Sequence, residues 1–219
     1  MPPLSLGLMM KTPMSFLLAA RINDMGVFII SPNDKGGMLY QPPEQLQKLT
    51  SPLSPMAFNT LFCLRRPEIH TLSIGAARPS DFDEHVTAIE KIGDTGKLLP
   101  PVEARLEARW KETLPESWRN QWQQGLPHWS ECPGQANLRE ILRLHNLALA
   151  YDLVQYGKMR YNLLGQGGHW FPGQPLGTLT AEELRPGLRH CPYPEETLRR
   201  LFVAKELFAG EKVQRLSRA

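Results

Sequence analysis

The chain has 219 residues, with 25 basic and 22 acidic side chains, a net charge of +3 and 42% hydrophobic residues. That apolar share suits a folded core rather than a disordered tail, and no run reaches the roughly 18 apolar residues of a membrane helix. So small a net charge makes no case for a nucleic-acid partner, which draws on clustered Lys and Arg.

The elements are predicted in chain order. Lys11 followed by a seven-residue apolar stretch, Met14 to Ala20, sits at the floor of a secretory signal and is read instead as an inward-packing helix over 14–24. Gly26 is expected to serve as its left-handed stop. Val27-Phe28-Ile29-Ile30 is an unbroken apolar run, which predicts a strand covered on both faces, as in parallel sheets. Ser31-Pro32 ends it, and residues 33–37 form a loop. After a proline-punctuated stretch, Ser54-Pro55 opens a helix near 55–65 with Met56, Phe58, Leu61 and Phe62 on its apolar side. His70 to Ile74 reads as a second strand, and Pro79-Ser80-Asp81 begins a helix through Ile89 with acids in its first turn.

The order helix, strand, helix, strand, helix is a βαβ grammar with parallel strands. Two such strands make no stable sheet alone, and a closed (β/α)8 barrel needs about 200 residues. Beyond Gly96 the chain turns helical. Trp110, Trp118 and Trp122 recur at helical spacing, and Leu138 to Leu164 reads as one long helix. Gly165 to Gly173 is an aromatic, glycine-rich loop, and Glu195 to Phe208 a last helix. The divide is expected near residue 95, with an α/β part over 1–95 and a helical part over 96–219.

The richest chemistry lies where strands end. In parallel sheets, ligands bind beyond the strands' carboxyl ends, where loops and helix starts offer backbone N–H groups. Ser31 to Gly37 is one such loop and Gly75-Ala76-Ala77-Arg78 the next. Small residues let a phosphate approach the backbone, and Arg78 suits a bidentate grip on it. The plainer alternative is a tight turn with a solvated arginine. His145 reads as a packed or surface side chain rather than a ligand. His169 and Trp170 form either a flat docking surface or a plug for the helical part. Lys158 and Arg160 read as a solvated face.

Gly26 to Pro32 followed by Gly36-Gly37-Met38-Leu39 resembles the seventh strand and loop of the aldo/keto reductases, and His70 to Ile89 their eighth strand and helix. The likeness covers roughly residues 20–92 and implies the last two β/α units of a TIM barrel. It implies that Ser31 and Pro32 run beside the NADP pyrophosphate, that Gly75 is the glycine ending the eighth strand, with Ala76 beside it in the cofactor site, that Arg78 contacts the 2′-phosphate and that Glu84 lies near the adenine. Asp81 stands where glutamine is usual and His85 where asparagine is usual. The first loop has Asn33 for leucine and is one residue longer. The family's catalytic tyrosine, lysine, histidine and aspartate come from early strands absent here. No catalytic residue is therefore assigned, and losing the acid forfeits about 10²–10⁴-fold.

Glu131-Cys132-Pro133-Gly134 and His190-Cys191-Pro192 resemble the ferredoxin-like extension of iron–sulfur aldo/keto reductases. That resemblance implies cluster cysteines, yet each group keeps only its Cys-Pro, and a cubane cluster needs four thiolates. Cys63, Cys132 and Cys191 lie 69 and 59 residues apart, with no CxxC pair. No iron–sulfur cluster and no other metal is expected. An odd cysteine count without a pairing pattern fits a reducing compartment, and the cytoplasm is the default.

The resemblance thus implies an α/β chain: a partial (β/α)8 barrel and an all-α, degenerate ferredoxin-like extension. It would retain part of an NADP phosphate site and be inactive alone. A complementary half-barrel polypeptide is one implied partner. The alternative is a non-catalytic interaction module using the aromatic helical half, and a third possibility is a decayed gene product. Neither nucleic acid nor membrane is an expected partner.

Overall fold

The computed structural model describes residues 14–30, 32, 38–76, 78–166, 171–210 and 213. The chain divides into two compact units, residues 1–108 with 215–219 and residues 109–214. No helix among the described residues is long and apolar enough to cross a membrane.

The first unit is α/β. Helix α1 (Met14–Ile22) leads into strand β1 (Val27–Ile30), then α2 (Glu44–Thr50), α3 (Pro55–Leu64), strand β2 (Ile69–Ser73) and α4 (Asp81–Glu90). β1 and β2 pair in parallel, with Phe28 opposite Thr71, Ile29 opposite Leu72 and Ile30 opposite Ser73. The βα grammar is therefore realised, with α3 as the crossover. Leu17 and Ala20 of α1 pack with Val27 and Ile69 in a small core. The other strand face is open: Phe28 and Ile30 are 58% and 63% exposed. The unbroken apolar run is thus covered on one face, because the described residues supply a layer on one side. Among those residues the sheet has these two strands and no barrel wall beyond them.

One local expectation is corrected here. The left-handed stop of α1 is Asp24 (φ 51°), an aspartate that tolerates this conformation, rather than Gly26. Gly26 instead lies close to the exposed His70 ring, which a Cβ there would meet at 3.1 Å. Helix α3 begins as expected: the Ser54 hydroxyl accepts from the Ala57 N–H, and Pro55 occupies the first turn. It buries Met56, Phe58 and Leu61 almost completely.

Helix α5 (Thr95–Thr113) runs through Pro100 and Pro101. The second unit then comprises α6 (Glu116–Gln121), α7 (Leu138–Tyr151), α8 (Val154–Leu163), α9 (Ala181–Leu184) and α10 (Pro194–Phe208). The stretch expected as one helix from 138 to 164 is broken at Asp152, whose φ is 57°. No proline forces this break. Folding α8 back on α7 buries Tyr151, Leu153 and Tyr156, and that burial outweighs helix continuity. Gly157 on α8 lets the Phe208 ring lie where a Cβ would otherwise sit, 2.3 Å away. Helix α9 carries a capping box between Thr180 and Glu183.

Candidate functional site

The candidate residues sit around the carboxyl ends of the two strands, where α3 and α4 hold the loops. Two consecutive α3 residues do most of this. Asn59 donates from Nδ2 to the Pro32 carbonyl at 3.3 Å. Thr60 Oγ1 lies 2.9 Å from His85 Nδ1, whose Nε2 lies 2.7 Å from the Tyr40 hydroxyl. Tyr40 in turn donates to the Gly75 carbonyl at 3.1 Å. Pro32 after β1 is therefore tied directly to α3, and Gly75 after β2 is tied to it through Tyr40 and His85. Thr60, His85 and Tyr40 are all buried. Burial lowers the His85 pKa, against the pull of Glu84 and Asp81, and so favours the neutral imidazole.

Arg78 leaves the Gly75 loop with its side chain 65% exposed. Its Nε donates to Asp81 Oδ1 at 3.0 Å and its backbone N–H to Oδ2 at 3.0 Å. Asp81 is almost fully buried, so it stiffens the base of the arginine while the rest of the guanidinium faces outward. Helix α4 begins at Asp81, not at Pro79, and the Asp81, Phe82 and Asp83 amides bond back to Arg78, Pro79 and Ser80 carbonyls. Those first-turn amides are consequently spent within the chain. The donors left to an anion here are the outer guanidinium nitrogens of Arg78 and the Ala76 N–H, which makes no hydrogen bond among the described residues.

Glu84 lies elsewhere. It accepts from the Ser54 hydroxyl at the start of α3. With Pro42, Gln47 and Pro52 it lines a separate cleft of about 310 Å³. Pro32, Gly75, Ala76 and Arg78 do not line that cleft. Ser31 and the Asn33–Gly37 loop lie outside the described residues, as do His169 and Trp170. The Tyr40–His85–Thr60 chain was missed in the sequence. His85 showed there only as a departure from a pattern, and Tyr40 as a tyrosine after a glycine loop.

The helical unit offers different chemistry. Its tyrosines are structural: Tyr161 is buried, which raises its pKa, and its hydroxyl accepts from the Leu176 N–H at 3.2 Å. Trp118 is buried and donates to Asn146 Oδ1 at 2.9 Å, and Trp110 stacks on Tyr151 with ring centres 6.0 Å apart. Arg160, expected on a solvated face, is instead 9% exposed and bonds to Glu140.

No disulfide joins the three cysteines, and all three are buried. Burial pushes the Cys63 thiol up to about 12 and Cys132 to about 11, with Glu131 adding to the latter, and raises Cys191 as well. Among the described residues no three His, Cys, Asp or Glu side chains gather as a metal set. Thiols held in this form make poor ligands and poor nucleophiles. Native protein at pH 8 should react with a disulfide reagent at least about 100-fold more slowly than unfolded protein, since the thiolate fraction sets the rate. A fast native phase of Cys63 or Cys132 would contradict their burial.

No known family profile, curated protein or solved structure matches the chain.

Proposed function

We propose that this chain is the closing part of an aldo/keto reductase-like barrel joined to a degenerate ferredoxin-like helical extension. In this reading it retains part of an NADP phosphate site and has no catalytic group of its own. The observation carrying the reading is the parallel β1–β2 pair whose two following loops are held by neighbouring residues of α3, with Arg78 reaching outward from the second. Parallel strands place ligand loops at their carboxyl ends, and a guanidinium offers the 2′-phosphate a forked, charge-assisted grip. When bound, NADP would supply hydride chemistry; Arg78 and the Ala76 N–H would hold its phosphate. Asp81 limits this grip, because its carboxylate lies against the same arginine. Glu84, spent on Ser54 in another cleft, offers little support for an adenine contact.

NADPH oxidation with aldehydes or quinones should stay at background. In equilibrium titrations, NADP should bind more tightly than NAD by about tenfold, the worth of a charged hydrogen bond, and Arg78→Ala should erase the difference. Equal affinities for the two nucleotides in the parent protein would end the reading.

A second reading is favoured by a separate observation. Phe16, Leu18, Ile22, Met25, Phe28 and Ile30 are each more than half exposed. Exposed apolar side chains on α1 and on the open strand face call for cover, which further β/α units would provide. The partner surface is then in the first unit. In the helical unit the large apolar side chains left exposed among the described residues are Leu149 and Val203 alone, which gives its aromatic residues a core role.

A further inference from the structure

The Gly75–Ala76 peptide carries both the carbonyl that Tyr40 holds and the amide left over for an anion. A trans peptide points its C=O and N–H in opposite directions, so whatever fixes one aims the other. Glycine at 75 leaves this peptide free to rotate unless something outside the loop holds it. The holding group is at the end of a polarised line. Tyr40 has one hydroxyl proton and gives it to the Gly75 carbonyl, which can only accept. Its oxygen, 2.7 Å from His85 Nε2, must then receive the proton on that nitrogen. His85 Nδ1 is left as an acceptor, and Thr60, at 2.9 Å, must donate to it. With the Tyr40 proton on the Gly75 carbonyl and burial favouring the neutral imidazole, each step has one direction and the ring proton sits on Nε2.

We propose that the Thr60–His85–Tyr40 line is a positioning device that turns the Gly75–Ala76 peptide so that the Ala76 N–H faces a bound phosphate. The proposal rests on the phosphate reading for its ligand, but the aim of the peptide exists without one. Each hydrogen bond in such a line polarises the next, and the low polarity around these buried groups strengthens all of them. Tyr40 and His85 also meet edge to face, with ring centres 5.9 Å apart and planes at 87°, so the ring orientation is fixed by packing as well. None of the three touches the ligand. They act through the peptide.

Three measurements on the full chain test this. Nitrogen-15 spectra of His85 at pH 7 should show the Nε2–H tautomer. Residual dipolar couplings should show the Ala76 N–H vector turning in Tyr40→Phe and staying put in Arg78→Ala. Tyr40→Phe should also weaken NADP binding by about three- to tenfold, the worth of one hydrogen bond. An Nδ1–H tautomer in the parent protein, or an Ala76 vector unmoved by Tyr40→Phe, overturns the proposal whether or not NADP binds. Absence of NADP binding in the parent with the tautomer and vector as stated overturns the phosphate reading and with it the assignment of the ligand, while the positioning stands.

Discussion

Replacing Glu140 with alanine should destabilise the helical unit by about 3–5 kcal/mol, the loss expected when a buried ion pair is left with one side only. Glu140 is 9% exposed and receives two guanidiniums. Arg143 reaches it with Nε at 2.8 Å and Nη2 at 2.6 Å, and Arg160 with Nη2 at 3.3 Å. Glu140 and Arg143 lie on α7 and Arg160 on α8, so the carboxylate ties together the two helices that the Asp152 break folds back. Arg160 also lies over the Phe171 ring at 4.5 Å, which anchors the loop after α8. Without the carboxylate, two positive charges face each other in a poorly solvated space. Urea unfolding of Glu140→Ala and Glu140→Gln measures this, with the amide recovering part of the loss. A loss under about 1 kcal/mol for alanine would place the group in the class of surface ion pairs.

The second large effect is a pH dependence. His145 on α7 is 2% exposed, and neither ring nitrogen has a hydrogen-bond partner. Burial first, then Arg200 and Arg199 on α10, lower its pKa to about 4 against the opposing pull of Glu196. The folded chain therefore holds a neutral imidazole, while the unfolded chain takes a proton near 6.5. Above that pH neither state is protonated, and the full stability is present. As pH falls from 6.5 toward 4 the unfolded state binds a proton that the folded state refuses, so stability is lost. Between pH 7 and 5 the loss is about 2 kcal/mol by this linkage. His85 contributes in the same direction, since burial lowers its pKa too. Glu196 does not interfere in this window, because its salt bridges to Arg199 and Arg200 hold its carboxyl at about 2. The gap between urea midpoints at pH 7 and 5 should narrow in His145→Leu to the remainder that His85 supplies. An unchanged pH slope in that variant would show that His145 is not the group responsible.

Several elements were legible because their cause is local. Ser54-Pro55 announces α3 by side-chain capping and a fixed φ, and the two strands announce themselves by branched and aromatic runs between turn residues. The Thr180–Glu183 capping box was equally readable from its spacing, and α9 went unread for want of an apolar run behind it. Other features depend on partners distant in the chain. Nothing near Asp152 distinguishes a helix interior from a break, since the burial that decides it comes from α7 and α8 meeting. Phe28 and Ile30 look like core because apolarity reports what a side chain prefers, not what covers it. At the site, Gly75, Ala76 and Arg78 were legible as a small-residue turn followed by a cation. Tyr40, Thr60 and His85 were not, since they are 20 and 25 residues apart and become one line only through the packing of α3 and α4. Glu84 shows the reverse: a pattern proposed a ligand contact, and Ser54 takes the carboxylate.

What Arg78 holds decides the NADP reading most directly. Its side-chain Nε resonance can be followed while the chain is titrated with adenosine 2′,5′-bisphosphate and, separately, with adenosine 5′-phosphate. The predicted result is a saturable shift with the first nucleotide and none at matched concentration with the second. Equal shifts with both, or none with either, would contradict a 2′-phosphate grip after β2.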